Sequence, residues 1–439
     1  MWKNDIMENV RNEVLMQLSL FDEVESTKKS SKTTFLNNMK LPIHRWYRYS
    51  AGFSAEWVKS IIEENYKEGL HVYDPFSGSG TVLIACDEMQ VESRGVDPHP
   101  FVSRMAEAKL AWGTDIKKFS DFAHNVLKQA MSDSNDVLED YPVLIRKSYS
   151  EENLLKLQKL KNALEVLNNG ADEYKLTWMA LSSILRVSSG VGTAQWQYVL
   201  PNKKTIAKDP FKEFENKIDQ MVEDMTYFQN NYKAPKSKFF VSDARNATEI
   251  ENDWADLVIT SPPYANNYDY ADATRLELSF FKEVESWGEL QEKVRKYLIV
   301  SNTQHISKLK SQTNEILNDK LLLPIYEELK GVVSLLEKER ENHGGKKNYH
   351  TMIASYFLDM AKFWIDLRRI VKDGGKVCLV IGDSAPYGVY VPVDKWLGDL
   401  ALAYGFKSYR FDKERDRNVK WKNRTHTVPL KEGYLWIEG

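Results

Sequence analysis

Cysteine is scarce in this chain of 439 residues, which has only Cys86 and Cys378. The two thiols are far apart and lack the close spacing of zinc ligands or of a disulfide framework, so we expect a reducing compartment and no metal site. Long apolar runs are also missing, since no stretch of about 18 apolar residues could form a membrane-spanning helix. The N-terminus lacks the charged-then-apolar order of a secretory signal. These absences predict a cytoplasmic protein with neither a membrane nor a metal partner.

The sequence has no excess of basic charge. Its net charge is −3 at pH 7, which gives no support to nucleic-acid binding, although a local basic stripe matters more than the total. The hydrophobic share of 42% and the charged share of 28% are ordinary for a globular protein. At this length we expect two or three domains, or one large domain that carries insertions.

Strands, glycine turns and helices alternate in three parts of the sequence. A short strand at 70–73 leads through the turn DPFSGSG into a helix, and KVCLVIG after the turn at 373–375 is a strand of the buried parallel type. This alternation predicts an α/β, doubly wound, Rossmann-like sheet. Helical periodicity interrupts the alternation at 102–235 and 275–345. We therefore expect a sheet with two largely helical insertions.

The turn after the first strand has the features of a ligand-binding loop. Gly78 and Gly80 let the backbone approach a ligand at the carboxyl end of the strand, and Asp74 can bind an ammonium group. The turn lacks the Gly-Lys-Ser/Thr ending of a phosphate-binding loop. Asp97 stands where the second strand ends, at the spacing where dinucleotide folds bind ribose hydroxyls with an acid. The alternatives are an ordinary Rossmann-like turn and a loop-capping aspartate.

A second and more specific signal is DLVITSPPY at 256–264, an apolar strand that ends in a proline turn. Pro262 and Pro263 remove backbone donors and stiffen the turn, so its carbonyls become fixed acceptors. Tyr264 offers a flat ring on which a base can stack. The Ser261 side chain and the Pro262 carbonyl can accept hydrogen bonds from both N–H groups of an exocyclic amine, which frees its lone pair. The alternative is a Pro-Pro turn that only caps a strand.

Together, DPFSGSGT and VSDARN…ADLVITSPPY resemble the amino-methyltransferase superfamily, the DNA methyltransferases that act on adenine N6 or cytosine N4. The resemblance implies a Rossmann-like methyltransferase sheet and S-adenosylmethionine as the cofactor. It identifies Ser261-Pro262-Pro263-Tyr264 as the catalytic tetrad, and a serine in the first position is typical of the cytosine-N4 members. We therefore expect a site-specific DNA methyltransferase that modifies N4 of cytosine by base flipping and direct transfer.

The same resemblance implies a set of cofactor-binding residues. The glycine-rich loop matches the family's cofactor motif, which gives Asp74, Phe76, Gly78, Gly80 and Thr81 as candidates. Asp97 would hold the ribose, and Asp243 would contact the adenine amino group. The segment HRWYRYSAGFSAEWV resembles the element that closes over the methionine end of the cofactor, with Phe53 and Ser54 as its candidates.

The resemblance covers roughly half of the chain and implies a division into domains. The methyltransferase catalytic domain is expected to combine residues 41–101, 236–274 and 346–439. Residues 1–40 are interpreted as an N-terminal helix and linker. Of the two insertions, 102–235 is the candidate for DNA recognition, and 275–345 is the second helical insertion.

Seven side chains are candidates for DNA contact. They are Arg186, Gln195, Trp196, Lys203 and Lys204 in the first insertion, and Arg415 and Arg417 in the basic run near the C-terminus. Basic side chains suit phosphates, and glutamine suits base edges. The alternatives are a surface loop with a packed tryptophan and a solvated charged face. The expected partners are double-stranded DNA and, as the resemblance allows, a cognate restriction endonuclease.

Other functions remain open at this point. The same scaffold serves adenine-N6 methylation, and related Pro-Pro-Tyr turns serve RNA or protein-glutamine substrates. The RNA and protein-glutamine methyltransferases usually carry asparagine in the first position of this turn, so Ser261 argues against those two substrates. A catalytically silent DNA-binding module is the alternative from another class. The intact glycine loop and tetrad argue against that reading.

Overall fold

The computed structural model of the chain describes residues 35–49, 52–193, 199–266, 269–345, 347–417 and 428–439. In these parts of the chain, seven strands form a central sheet and two more form a separate hairpin. The strands are, in chain order, β1 (His71–Asp74), β2 (Glu92–Val96), β3 (Val191–Thr193), β4 (Val199–Lys204), β5 (Ser237–Phe240), β6 (Ala255–Thr260), β7 (Val371–Gly382), β8 (Ser408–Arg417) and β9 (Leu430–Glu438).

The α-helices of the described residues alternate with these strands. They are α1 (Ala55–Glu64), α2 (Thr81–Glu88), α3 (Pro100–Leu110), α4 (Ile116–Ser132), α5 (Val143–Ser148), α6 (Glu151–Val166), α7 (Asp172–Ile184), α8 (Pro210–Asn231), α9 (Tyr270–Ala273), α10 (Arg275–Phe280), α11 (Trp287–Lys293), α12 (Thr313–Leu317), α13 (Tyr326–Asn342), α14 (Tyr349–Ile370) and α15 (Val393–Ala403). Short 3₁₀ turns connect several of them.

The central sheet has the strand order β5-β2-β1-β6-β7-β9-β8. Strands β5, β2, β1, β6 and β7 pair in parallel, whereas β9 runs antiparallel to both β7 and β8. The order reverses between β1 and β6, and ligands of open α/β sheets bind at such a reversal, beyond the carboxyl ends of the strands. The prediction of an α/β, Rossmann-like sheet is confirmed.

Helices cover both faces of the sheet because the side chains of each strand point alternately to opposite sides. Leu257 and Ile259 of β6 join one apolar cluster together with α1 and α2, whereas Val258 joins the cluster formed with α14 and α15. Cys378 of β7 is fully buried on the α1 side. Strands that are buried on both faces explain the nearly continuous apolar runs of the sequence.

The first insertion forms a core of its own. Helices α4, α6, α7 and α8 pack against one another around buried residues such as Phe119, Leu157, Met179 and Met225. The hairpin β3–β4 belongs to this insertion and pairs apart from the central sheet. Residues at the start of the second insertion, including Leu278 and Phe280, pack into the same core. The later residues of the second insertion pack instead with α14 and the sheet.

Candidate functional site

A cleft of about 770 Å³, open to solvent, lies at the strand reversal between β1 and β6. Six predicted cofactor residues line it, namely Phe53, Phe76, Gly78, Thr81, Asp97 and Asp243. From the predicted tetrad, Ser261 and Pro263 line the same cleft. Segments that lie far apart in the sequence therefore meet around one space.

Asp74 ends β1 and lies beneath the cleft, with 1% of its surface exposed. Its Oδ1 accepts a hydrogen bond of 2.6 Å from the Thr260 hydroxyl and one of 3.1 Å from the backbone N–H of Phe76. Burial raises the pKa of this carboxyl to about 7. Asp74 is therefore held in place by β6, and its charge is poorly solvated until a cation approaches.

The glycine-rich turn after β1 requires small residues at two places. Gly78 has a φ of +51°, and a Cβ at this position would lie 3.2 Å from the Tyr49 ring. A Cβ on Gly95 in β2 would lie 2.1 Å from the Ser77 hydroxyl, which donates a hydrogen bond to the Asp74 carbonyl. Gly95 was not among the predicted residues, because only the packing of β2 against the turn reveals its role. Gly80 precedes α2 outside the cleft lining.

Asp97 follows β2 and fixes the same turn. Its Oδ2 accepts a hydrogen bond of 3.0 Å from the Gly78 N–H, and its Oδ1 accepts one of 2.9 Å from the His99 N–H. Burial raises the pKa of the Asp97 carboxyl to about 6. The carboxylate thus faces the cleft in a fixed orientation, which suits a ligand with hydroxyl donors.

Asp243 lines the cleft beyond the end of β5, and Arg245 holds its carboxylate. The Arg245 Nε lies 3.0 Å from Oδ1 and 3.1 Å from Oδ2, and the Arg245 backbone N–H donates to Oδ1 at 2.9 Å. Arg245 Nη2 donates a further hydrogen bond of 2.5 Å to Oδ2. Three donors of Arg245 thus occupy a carboxylate with about four lone-pair sites, which leaves about one site for a donor in the cleft.

Ser261 comes directly after β6, and its hydroxyl donates a hydrogen bond of 3.1 Å to the Val380 carbonyl on β7. The hydroxyl proton is engaged there, so the oxygen presents lone pairs to a further partner. Pro262 is buried, whereas Pro263 is half-buried. The turn therefore offers a fixed acceptor beside the cleft, as the sequence predicts.

Tyr264 is half-buried and lies outside the cleft lining, on the side of β7 and β9. The Arg417 guanidinium lies over its ring, with 4.9 Å between Cζ and the ring centroid. A hydrogen bond of 2.7 Å to the Asp383 carbonyl holds Arg417 in this position. Arg417, a predicted DNA contact, therefore packs on Tyr264, a predicted catalytic residue.

Two further predicted residues, Arg186 and Ser54, are mostly or fully buried. Arg186 is mostly buried and forms an ion pair of 2.6 Å with Glu277, which the Tyr47 hydroxyl also contacts. Its guanidinium is thus committed inside the protein, and a DNA contact by Arg186 stays an untested prediction. Ser54 is buried and caps α1 through the Trp57 N–H.

The predicted DNA-contact residues outside the interior fall into three groups. Arg415 pairs with Glu432 of the neighbouring strand at 2.5 Å. Lys203 and Lys204 are exposed on β4. Gln195 and Trp196 lie outside the described residues. Lys203, Lys204 and Arg415 are therefore exposed enough for a phosphate contact, although Arg415 is already paired.

Residues outside the predicted site also line the cleft, among them Tyr49, Leu298 and Ile299. The aromatic segment HRWYRYS contains Tyr49 and could have pointed to it. Leu298 and Ile299 belong to the second insertion, and no motif marks them. The second insertion therefore contributes to the cleft itself.

No helix in the described part of the chain has the length and apolar character that crossing a membrane requires. Within the same residues, no group of three or more His, Cys, Asp or Glu side chains is placed to hold a metal ion.

Comparison with known proteins shows which sequences the chain resembles. Residues 4–108 match the family model described as DNA methylase. The chain is 25% identical over 403 residues to the Type II methyltransferase M.AvaI of Nostoc sp., which covers 85% of this chain and 81% of that protein. It is 26% identical over 435 residues to the Type II methyltransferase M.BsoBI of Geobacillus stearothermophilus, covering 88% and 83%. With the Type II methyltransferase M.MvaI of Kocuria varians the identity is 22% over 412 residues, covering 84% and 83%.

Proposed function

The chain belongs to the N4/N6 DNA amino-methyltransferase superfamily, and we propose that it methylates the exocyclic N4 of cytosine at specific sites in double-stranded DNA. Methyltransferases of this family use S-adenosylmethionine as the methyl donor. The observation that carries the proposal is that Ser261 and Pro263 line the same cleft as Gly78, Asp97 and Asp243. An amine held by the tetrad would therefore lie beside a ligand held by the glycine turn.

The residues of the cleft fit S-adenosylmethionine. We assign the buried carboxylate of Asp74 to its ammonium group, Asp97 to its ribose hydroxyls, and Asp243 to its adenine amino group. The missing side chain of Gly78 lets the Tyr49 ring pack closely against the turn at the cleft. When bound, S-adenosylmethionine would supply a methyl group on a positively charged sulfur. The N–C bond to the amine would form as the S–C bond breaks, S-adenosylhomocysteine would leave, and the methylated nitrogen would lose one proton to water.

The tetrad would prepare the target amine for this transfer. Its nitrogen is a weak nucleophile because its lone pair is conjugated with the base. The Ser261 oxygen, whose proton is donated to Val380, and the Pro262 carbonyl accept the two N–H groups and draw the lone pair out of conjugation. Tyr264 stacks on the flipped base and sets its orientation. Positioning and electrostatics then supply most of the rate.

The first-position serine supports cytosine N4 over adenine N6 as the target. This proposal is tested by expressing the chain in a host without DNA methyltransferases and analysing plasmid nucleosides by mass spectrometry. We expect N4-methylcytosine. A Ser261→Ala variant expressed at the same level serves as the control and should leave the plasmid nearly unmodified. Finding N6-methyladenine instead would overturn the choice of base, and unmodified wild-type plasmid would contradict methylation of DNA.

We further propose that the chain is the modification enzyme of a restriction–modification system, with a cognate restriction endonuclease. The Type II names of its relatives support this proposal. For DNA contact, the exposed Lys203 and Lys204 of β4 are the strongest of the described candidates. They suit the phosphate backbone, whose contacts are sensitive to salt.

Cofactor affinity is expected to depend on pH because burial raises the pKa of Asp74 to about 7 and that of Asp97 to about 6. Both carboxyls are protonated below these values and must lose a proton to bind an ammonium group or to accept fully from ribose. The dissociation constant should therefore rise as pH falls from about 8 to about 5, by up to about tenfold per pH unit for each group. Titration calorimetry with S-adenosylhomocysteine, which keeps the ammonium, measures this change. A constant affinity across the range would contradict both assignments.

A further inference from the structure

Arg245 joins the predicted adenine end of the cleft to a buried aspartate on α14. Its Nε contacts both oxygens of Asp243, and its Nη1 lies 2.8 Å from Oδ1 of Asp359. The side chains of Arg245 and Asp359 are 18% and 9% exposed. A guanidinium fork that binds two carboxylates at once fixes the orientation of both.

The same pair also holds one wall of the cleft. Arg245 Nη2 donates a hydrogen bond of 3.2 Å to the Tyr297 carbonyl, and the Val300 backbone N–H donates one of 3.1 Å to Oδ2 of Asp359. Leu298 and Ile299, the two residues between these anchors, line the cleft together with Asp243. One arginine and one aspartate therefore fasten the second insertion to the cleft on both sides of its apolar wall.

The charges of Asp243, Arg245 and Asp359 explain why these three side chains are joined. Asp243 alone would be a partly exposed carboxylate that rotates freely. Paired with Arg245, it is oriented and neutralised, which suits a neutral amine donor such as the 6-amino group of adenine. Asp359 balances the second half of the guanidinium charge. The apolar pair Leu298–Ile299 offers a surface for a flat ring beside this acceptor.

We propose that Arg245 and Asp359 are positioning residues that give the cleft its selectivity for an adenine ring, by orienting Asp243 and holding the Leu298–Ile299 wall. This proposal rests on the proposed function, which assigns the cleft to S-adenosylmethionine. It gives the second insertion a role in cofactor recognition.

The test compares the binding of S-adenosylhomocysteine and S-inosylhomocysteine by titration calorimetry. The inosine ligand has a carbonyl where adenine has its amino group, so an oriented Asp243 should repel it. We expect the wild-type protein to prefer the adenine ligand by about 30-fold or more. Arg245→Ala should reduce this ratio to within about threefold, and Arg245→Lys, which keeps the charge but lacks the fork, should give an intermediate ratio.

If Arg245 had only a structural role, its substitution would weaken the binding of both ligands equally. The ratio of the two dissociation constants would then stay unchanged, which would overturn the proposal. Asp359→Asn, nearly identical in shape, provides a second variant if Arg245→Ala does not fold, and it too should lower the ratio. An unchanged ratio in Asp359→Asn would likewise overturn the proposal.

The matched control is Arg369→Ala. Arg369 lies in the last turn of α14, pairs with Asp366 at 2.8 Å and holds the Ala247 and Ile250 carbonyls of the loop that follows Asp243, but none of these three partners lines the cleft. The Arg369→Ala variant should keep the wild-type ratio of the two dissociation constants. If its ratio fell as far as that of Arg245→Ala, the proposal would be contradicted. A wild-type protein that methylates DNA yet binds both ligands alike would overturn this inference while leaving the proposed function intact. Retained selectivity without DNA methylation would support the inference and contradict the proposed function.

Discussion

Tyr264→Ala is expected to lower kcat by about 10²- to 10³-fold, while the dissociation constant for S-adenosylmethionine stays within about twofold of the wild-type value. The ring lies outside the cofactor cleft, so its removal should leave cofactor contacts intact. It should remove the stacking surface for the target base and let the amine drift from its productive position. Single-turnover methylation of a duplex oligonucleotide, together with calorimetry of cofactor binding, measures both quantities.

Two variants serve as controls for Tyr264→Ala. Tyr264→Phe keeps the flat ring under Arg417 and should retain most of the turnover. Tyr66→Ala removes a ring that is 64% exposed after α1 and should leave turnover unchanged. Wild-type turnover in Tyr264→Ala would count against the stacking mechanism, and so would an equal loss in Tyr264→Phe.

Asp74→Asn is expected to weaken S-adenosylhomocysteine binding by about 10²-fold, because a buried carboxylate paired with an ammonium is replaced by a neutral amide. The amide is nearly identical in shape, and its oxygen can keep the hydrogen bond from Thr260. Methylthioadenosine, which lacks the amino-acid end, should bind both proteins within about threefold. The variant should also lose the part of the pH dependence that is centred near the Asp74 pKa of about 7.

Asp256→Asn is the matched control for this substitution. Asp256 lies near the start of β6, at the other end of the strand from Thr260, and pairs with Lys67 at 2.7 Å and Lys372 at 2.8 Å. The Asp256→Asn variant should bind S-adenosylhomocysteine and methylthioadenosine like the wild type. Asp74→Asn could instead weaken the binding of S-adenosylhomocysteine and methylthioadenosine equally. The effect would then come from the turn as a whole, and the assignment of Asp74 to the ammonium group would be wrong.

The sheet and part of its cleft could be predicted because local sequence determines them. An apolar strand, a glycine turn and a proline turn each occupy a few consecutive residues, and parallel strands bring their carboxyl ends to the same edge. Asp97 and Ser261 therefore reach the cleft from their positions at the ends of β2 and β6.

The side-chain partners of other residues could not be predicted, since they depend on tertiary packing. The basic run near the C-terminus predicts DNA contacts by Arg415 and Arg417, which stay a prediction, and several basic side chains in its described part pair with acids. Arg415 contacts Glu432 because the register of β8 against β9 places them opposite each other. Lys413 pairs with Asp416 on its own strand. Leu298 and Ile299 reach the cleft through contacts of Arg245 and Asp359 that no motif announces.

The first insertion joins two strands that are neighbours in the sheet. It leaves after β2 and returns at β5, and these strands pair in parallel from Ser93↔Ser237 to Val96↔Phe240. The whole helical body is therefore an enlarged crossover, and the free energy of closing such a connection grows only slowly with its length. Evolution can lengthen, shorten or exchange this body at little cost to the sheet, whereas β2 and β5 must keep their register. The sheet, and with it the strand ends that form the cleft, can thus stay the same while this crossover changes.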